Sequence, residues 1–422
     1  MYDVNPAAIT RILEFSFSIS KVLWSMLRTT VERLRHCRAY QHVFETRDFC
    51  PVSKPTQPWM IMPSAVGSHS LRTASFHTRI SVCGHQCIYS NALFFKGRWC
   101  SGTQRFYHIH VDQRTMSPRV LTLPDGRKIE YLISGAEDGF PMVFIHGTPG
   151  AYIVNPTMSA LCDEKKIKLI TMSRAGYGSS TRNKGRRVVD VVADIQALLK
   201  HLRIEKCVVG GWSGGGPHSL ACAARLPGCI ASLVIAGQAP YGADGLDFHA
   251  GQGKANVDEI GVALKGEEEL QRYCEAERPG MLAADVKQLT EALSSLFPEV
   301  DREALFESHA MGQNMLDSNR EAYKHNSNGR VDDMLSFVQP WGFELNEVEV
   351  PVFLYHGSED KMVPLAHGEW VAQHLPQGKV KAHLLQGEGH ISVFLGRMEE
   401  MLDGLLAVAV AGQQVCVCAR CT

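Results

Sequence analysis

Ser213 stands in Gly211-Trp212-Ser213-Gly214-Gly215, directly after an apolar run ending at Val209 and directly before a segment of helical period. In that context a G-x-S-x-G pattern holds its central serine on a strained strand-to-helix turn, and the flanking glycines remove side chains that would collide with it. A serine hydroxyl is a poor nucleophile at neutral pH. It needs a base to take its proton and a carboxylate to hold that base in the right tautomer. Both follow in the chain. Asp360 lies in the loop from Tyr355 to Pro364, and His390 closes Gly387-Glu388-Gly389-His390 after the last strand-like run. Of the chain's 18 histidines, His390 is set apart by that position. Glu359 is the alternative acid, while Asp332, Asp333 and Glu388 are poorer ones, being in a helical block or beside the histidine. In the order Ser213, Asp360, His390 the chain carries a nucleophile, an orienting acid and a general base, the parts of an acyl-transfer site.

Acyl transfer also requires donors for the developing oxyanion, which two backbone N–H groups supply without reorganising. The residue after the nucleophile, Gly214, is expected to give one. The second is expected from His146-Gly147-Thr148-Pro149-Gly150, which follows another strand-like run. Pro149 has no N–H, so Thr148 is the donor, and His146, Gly147 and Trp212 are expected to border the substrate. This chemistry implies no metal and no organic cofactor.

The elements that must position these residues are legible from Arg119 onward. Val120–Leu123 and Lys128–Ile133 flank Pro124-Asp125-Gly126, an antiparallel hairpin signal. Pro141–Ile145, Lys168–Met172, Cys207–Val209, Ser232–Ala236, Val352–Tyr355 and Ala382–Leu385 are short apolar runs without alternation, as in strands covered on both faces. Helical periods fill Val188–Leu202, Gly214–Arg225, Ala366–Leu375 and Ile391–Val408. The spacing predicts an α/β fold: a doubly wound, mostly parallel eight-stranded sheet with helices on both faces. Pro240 to Glu349 lacks strand-like runs, and its helical period implies an inserted helical cap. The expected organisation is an α/β core over 116–239 and 350–410, a cap over 240–349, a tail over 411–422 and an extension over 1–115.

Charge separates that extension from the body. Residues 1–115 hold 14 of the 43 Lys+Arg and 6 of the 44 Asp+Glu, and only 4 of the 37 glycines. The acidic remainder offers no broad basic face for phosphate backbones, which argues against a nucleic-acid partner. From Ala7 to Tyr40 the extension is amphipathic and Arg-rich, which fits a surface helix, upstream sequence wrongly joined to the gene at Met116, or an organelle transit peptide, the first two being favoured. Cytoplasmic location is the expectation, with a mitochondrial alternative if that segment is a transit peptide. Glu14 and Lys21 interrupt the best apolar run, so no integral membrane association is expected. The 13 cysteines show no paired spacing. Cys83, His85, Cys87 and Cys100 lack the second ligand pair of a zinc finger, and Cys416, Cys418 and Cys421 read as reduced thiols of a frayed terminus.

Taken together, the HGTPG segment at 146–150, Ser173-Arg174-Ala175-Gly176-Tyr177-Gly178-Ser179-Ser180, the GWSGG turn at 211–215, the HGSEDKMVP loop at 356–364 and GEGH at 387–390 resemble the α/β-hydrolase family. The resemblance runs from roughly 117 to 410, with Ser173 where an Asp is common. It implies a serine hydrolase with a helical cap acting on a small-molecule substrate, a carboxylic ester being favoured. A serine at the turn separates the chain from members with an aspartate nucleophile. Two other readings stand beside it. A proline iminopeptidase-like aminopeptidase is suggested by HGxPG and by cap carboxylates Glu268, Glu269, Glu275 and Glu277, although GWSGG differs from the GGSWG those peptidases resemble. A non-catalytic ligand-binding protein of the same fold is the other.

Overall fold

The computed structural model describes residues 117–418, the side chains of His309 and of 412–418 excepted. The expected extension, with its amphipathic segment and the Cys83, His85, Cys87 and Cys100 group, lies outside the described residues, as does Cys421.

Two strands open the fold, β1 (Arg119–Thr122) and β2 (Lys128–Gly135), paired antiparallel with Thr122 opposite Lys128. Gly126 at φ 85° supplies the left-handed residue this hairpin requires. β3 (Phe140–Ile145), α1 (Pro156–Glu164), β4 (Ile167–Met172), α2 (Val191–His201), β5 (Cys207–Trp212), α3 (Gly215–Arg225) and β6 (Cys229–Ile235) then alternate. Six helices follow before the next strand: α4 (Lys254–Ala263), α5 (Glu267–Ala283), α6 (Val286–Ala292), α7 (Glu299–Glu307), α8 (His309–Tyr323) and α9 (Asn328–Phe337). β7 (Val352–Gly357), α10 (Leu365–His374), β8 (Val380–Leu385) and α11 (Ser392–Cys418) complete it. Strand order is β1-β2-β4-β3-β5-β6-β7-β8, with the pairs from β4 to β8 parallel.

The unalternating apolar runs are explained by two cores, one on each face. Val143 and Ile145 of β3 join the core containing Ile195 of α2 and Leu220 of α3. Met142 and Phe144, the intervening residues, join Met158 of α1 and Met398 of α11 on the other face. β7 divides in the same way, Val352 and Leu354 to one core and Phe353 and Tyr355 to the other. Successive side chains point to opposite faces, so a strand covered twice must be apolar throughout.

Within Pro240 to Glu349 the expected helical periods are Val257–Leu264, Glu267–Glu277, Ala284–Leu296 and Arg302–Met315, so two helices lack a counterpart among the expected periods, α1 and α9. α1 is nonetheless marked locally: Asn155 caps it, accepting from the N–H groups of Thr157 at 2.9 Å and Met158 at 3.2 Å, with Pro156 at its first position. α9 buries most of its length, including polar Asp332 and Asp333, so its sequence does not show a simple apolar stripe. α11 runs on to Cys418, past the expected end at Val408, because Ala409-Val410-Ala411 contains no breaker.

Candidate active site

Ser213 occupies the turn between β5 and α3 with φ at 56°, in the left-handed region that non-glycine residues rarely adopt. Its N–H donates to the Ile235 carbonyl at 2.8 Å and its carbonyl accepts from Gly216 N–H at 2.8 Å, so both neighbouring elements hold the strained residue. A Cβ on Gly211 would overlap the Gly215 carbonyl, which is why the turn closes only with glycine before the serine. The N-terminus of α3 starts two residues on, and its dipole favours negative charge beside Ser213.

Asp360 and His390 come from loops after β7 and β8 and meet there. His390 Nδ1 lies 2.7 Å from Asp360 Oδ2, and both residues are buried. Asp360 Oδ1 is fixed by the N–H groups of Met362 at 2.9 Å and Val363 at 2.8 Å, whereas Glu359 is exposed. A carboxylate only accepts, so Nδ1 carries the proton and Nε2 is the nitrogen free to act as a base. Burial opposes charge on His390, but the field and hydrogen bond of Asp360, with the charge of Asp301, outweigh it and raise the imidazole above its ordinary value. Trp212 packs its ring 5.4 Å from the His390 ring, and its Nε1–H donates to the His390 carbonyl at 3.2 Å.

The turn after β3 is held from behind. Arg174 donates to the carbonyls of His146 and Gly147 and, at 3.0 Å, to Thr148 Oγ1. It also pairs with Asp333, which takes a second arginine, Arg186, at 2.6 Å and the Tyr177 hydroxyl at 2.8 Å. Burial penalises the Asp333 charge, yet the two arginines overcome that penalty and hold its carboxyl well below the usual range. With its hydroxyl so engaged, Thr148 sits against Gly214, where a Cβ would overlap Thr148 Oγ1. Among the described residues neither the Thr148 nor the Gly214 N–H bonds to a protein acceptor. These two donors are available to an oxyanion.

Ser213, His390, Thr148, Gly147, His146 and Trp212 all line one cavity of about 720 Å³. Its walls are largely apolar, with Phe144 and Phe394 from the core and Leu293, Met311 and Met315 from the inserted helices. Glu259, Glu277, Arg330 and Tyr273, on α4, α5 and α9, form a charged patch on the same wall. Arg330 joins both carboxylates, Nε to Glu259 and Nη1 to Glu277 at 2.7 Å. Of the four carboxylates expected to meet an amino group, only Glu277 reaches the cavity. Glu268 and Glu269 pair with Arg272, and Glu275 accepts the Ser327 N–H at 2.8 Å. Both His146 ring nitrogens are occupied, by the Gly147 carbonyl at 2.7 Å and the Arg174 N–H at 3.1 Å. Burial, then Arg174, holds this imidazole well below its ordinary value, so His146 presents ring surface to the cavity.

Sequence reasoning overlooked three residues. Arg174 lies within a quoted motif without a role, and Asp333 is weighed only as a poorer candidate acid because it lies in the helical block. Asp301, on α7, accepts the N–H groups of His390, Ile391 and Ser392, and no local pattern marks it. Among the described residues no group of His, Cys, Asp and Glu is arranged to hold a metal, and no helix is long and apolar enough to cross a membrane.

The family model described as alpha/beta hydrolase fold matches residues 141–396. A probable proline iminopeptidase of Leptolyngbya boryana is 36% identical over 112 residues, 26% of this chain and 35% of that protein. The chain thus spans about a third of that relative. The AB hydrolase superfamily protein YisY of Bacillus subtilis is 23% identical over 254 residues, covering 60% of this chain and 85% of the relative. A solved alpha/beta hydrolase fold protein from Chitinophaga pinensis superposes with a TM-score of 0.50 at 17% identity, covering 69% of this chain and 99% of that one. With the family model spanning more than half its length, the chain belongs to the alpha/beta hydrolase fold family.

Proposed function

We propose that the chain is a serine hydrolase that cleaves a carboxylic ester of a small molecule through an acyl-enzyme. The carrying observation is the 2.7 Å contact between His390 Nδ1 and Asp360 Oδ2, behind a cavity that His390 and Ser213 both line. His390 Nε2 takes the Ser213 proton as Oγ bonds to the ester carbonyl carbon, and the N–H groups of Thr148 and Gly214 receive the oxyanion. The carbon–oxygen bond to the alcohol then breaks, His390 returning the proton to the leaving oxygen. Water repeats the sequence on the acyl-enzyme, releasing the acid and restoring Ser213. The inserted helices act as a cap, contributing the apolar wall that receives the substrate body. Among the described residues Cys162, Cys207, Cys222, Cys229 and Cys274 are buried and free, which supports a reducing, cytoplasmic setting.

A second reading, an aminopeptidase of the proline iminopeptidase kind, is favoured by Glu259 and Glu277 on the cavity wall, where two carboxylates outnumber one arginine. Hydrolysis of a short-chain aryl ester and a prolyl anilide by wild type and Ser213→Ala separates the readings. Ser213-dependent turnover of the ester alone is expected. Turnover of the anilide would favour the aminopeptidase, and silence on both a non-catalytic binding protein.

A further inference from the structure

Helix α11 begins without a capping residue of its own. Its amide-rich start is His390-Ile391-Ser392, and Ile391, which precedes the helix, has no side-chain oxygen to offer. The acceptor comes from the inserted helices. Asp301 Oδ2 takes the His390 N–H at 2.8 Å, and Oδ1 takes those of Ile391 and Ser392 at 2.9 Å each. The carboxylate is fully buried, and Gly389 leaves its space, since a Cβ there would overlap it.

We propose that Asp301 is a positioning residue for His390, fixing the backbone of the general base from the cap so that docking of the cap helices completes the triad. The proposal rests on the serine-hydrolase reading. Asp360 orients the ring of His390 and Asp301 orients its main chain, so the base is gripped from two elements of different origin. The groups facing His390 are Asp360 from the loop after β7, His356 at the end of β7, Trp212 at the end of β5 and Asp301 from α7. Only the two carboxylates carry negative charge, and both favour the imidazolium.

An alkyl fluorophosphonate tests this on the full chain without knowledge of the substrate. Ser213 Oγ bonds to phosphorus, fluoride leaves, and His390 takes the hydroxyl proton. The labelling rate is followed against pH in wild type, Asp301→Ala, Asp301→Asn, Gly389→Ala and the Asp301→Ala/Gly389→Ala double variant, with thermal melting of each. Asp301→Ala is expected to slow labelling roughly tenfold or more and to move its acid limb to lower pH. Asp301→Asn keeps one acceptor oxygen and is expected to recover part of the rate while keeping the shifted limb. Gly389→Ala is expected to slow the wild type but to add little once Asp301 is gone. Wild-type rates and acid limbs in both Asp301 variants would overturn the proposal, as would additive losses in the double variant. Loss of the melting transition in both would assign Asp301 to stability alone and overturn it equally. A wild-type chain that is not labelled, or is labelled as well after Ser213→Ala, would instead sink the serine-hydrolase reading and the proposal with it.

Discussion

The Thr148 hydroxyl donates to Asp333 Oδ2 at 2.6 Å, tying the turn after β3 to α9 of the inserted helices. Through this bond and the Arg174 contacts, the turn after β3 and one wall of the cavity form one buried polar unit. Such a unit is costly to break on one side, because the remaining charges have no water to turn to. Asp333→Ala would leave Arg174 and Arg186 buried without their carboxylate and is expected to destabilise the protein by roughly 3–5 kcal/mol. Urea unfolding checks this, and a midpoint close to wild type would refute it.

Gly214→Ala places a methyl against Thr148 Oγ1 beside the two free N–H groups. A folded protein with kcat reduced by about 10²–10³ is expected, with KM much less affected. A kcat within a few-fold of wild type would remove Gly214 from the oxyanion site.

A general base must be neutral to act, and His390, the proposed base, is raised above its ordinary 6.5. Activity should therefore fall as the pH drops through a value above 6.5, with the acid limb of kcat/KM reporting His390. Asp360→Asn is expected to lower kcat by about 10⁴ and to move that limb to lower pH. An unmoved limb in this variant would show that another group sets it.

Stability should respond differently. His390, being raised, stabilises the fold below 6.5 and loses that contribution as pH rises through its folded value. Four buried histidines act the other way: burial lowers His146 and His356, and takes His218 to about 3 and His367 to about 4. Below 6.5 they bind protons more readily when unfolded, so acidification should lower the urea midpoint on balance. A midpoint that holds or rises between pH 6.5 and the folded values of this group would contradict the prediction.

The charged patch offers a test of substrate type. Glu277→Gln removes one of two carboxylates facing Arg330 within the cavity. If the physiological substrate carries a free amino group, its KM should rise about tenfold while that of a neutral ester changes less. Equal changes for the two would deny the patch a part in selection.

Local pattern accounts for much of this molecule. The sheet was legible because apolar runs flanked by turns report strands covered on both faces, and Ser213, Asp360 and His390 because each follows such a run at the same sheet edge. Glycine beside Ser213 likewise announces a close turn. α9 was less legible, since a helix buried on nearly every side carries polar residues wherever they find partners, and its period blurs. Asp301 and His390 are 89 positions apart, and Arg174 and Asp333 are 159 apart. No spacing rule spans such separations. Chain order and hydrophobic period therefore determined the sheet and the placing of Ser213, Asp360 and His390 at one edge of it, whereas the partner of each buried charge, the cavity wall and the Asp301 contacts of His390 were settled by packing, because desolvated charges select their neighbours in space.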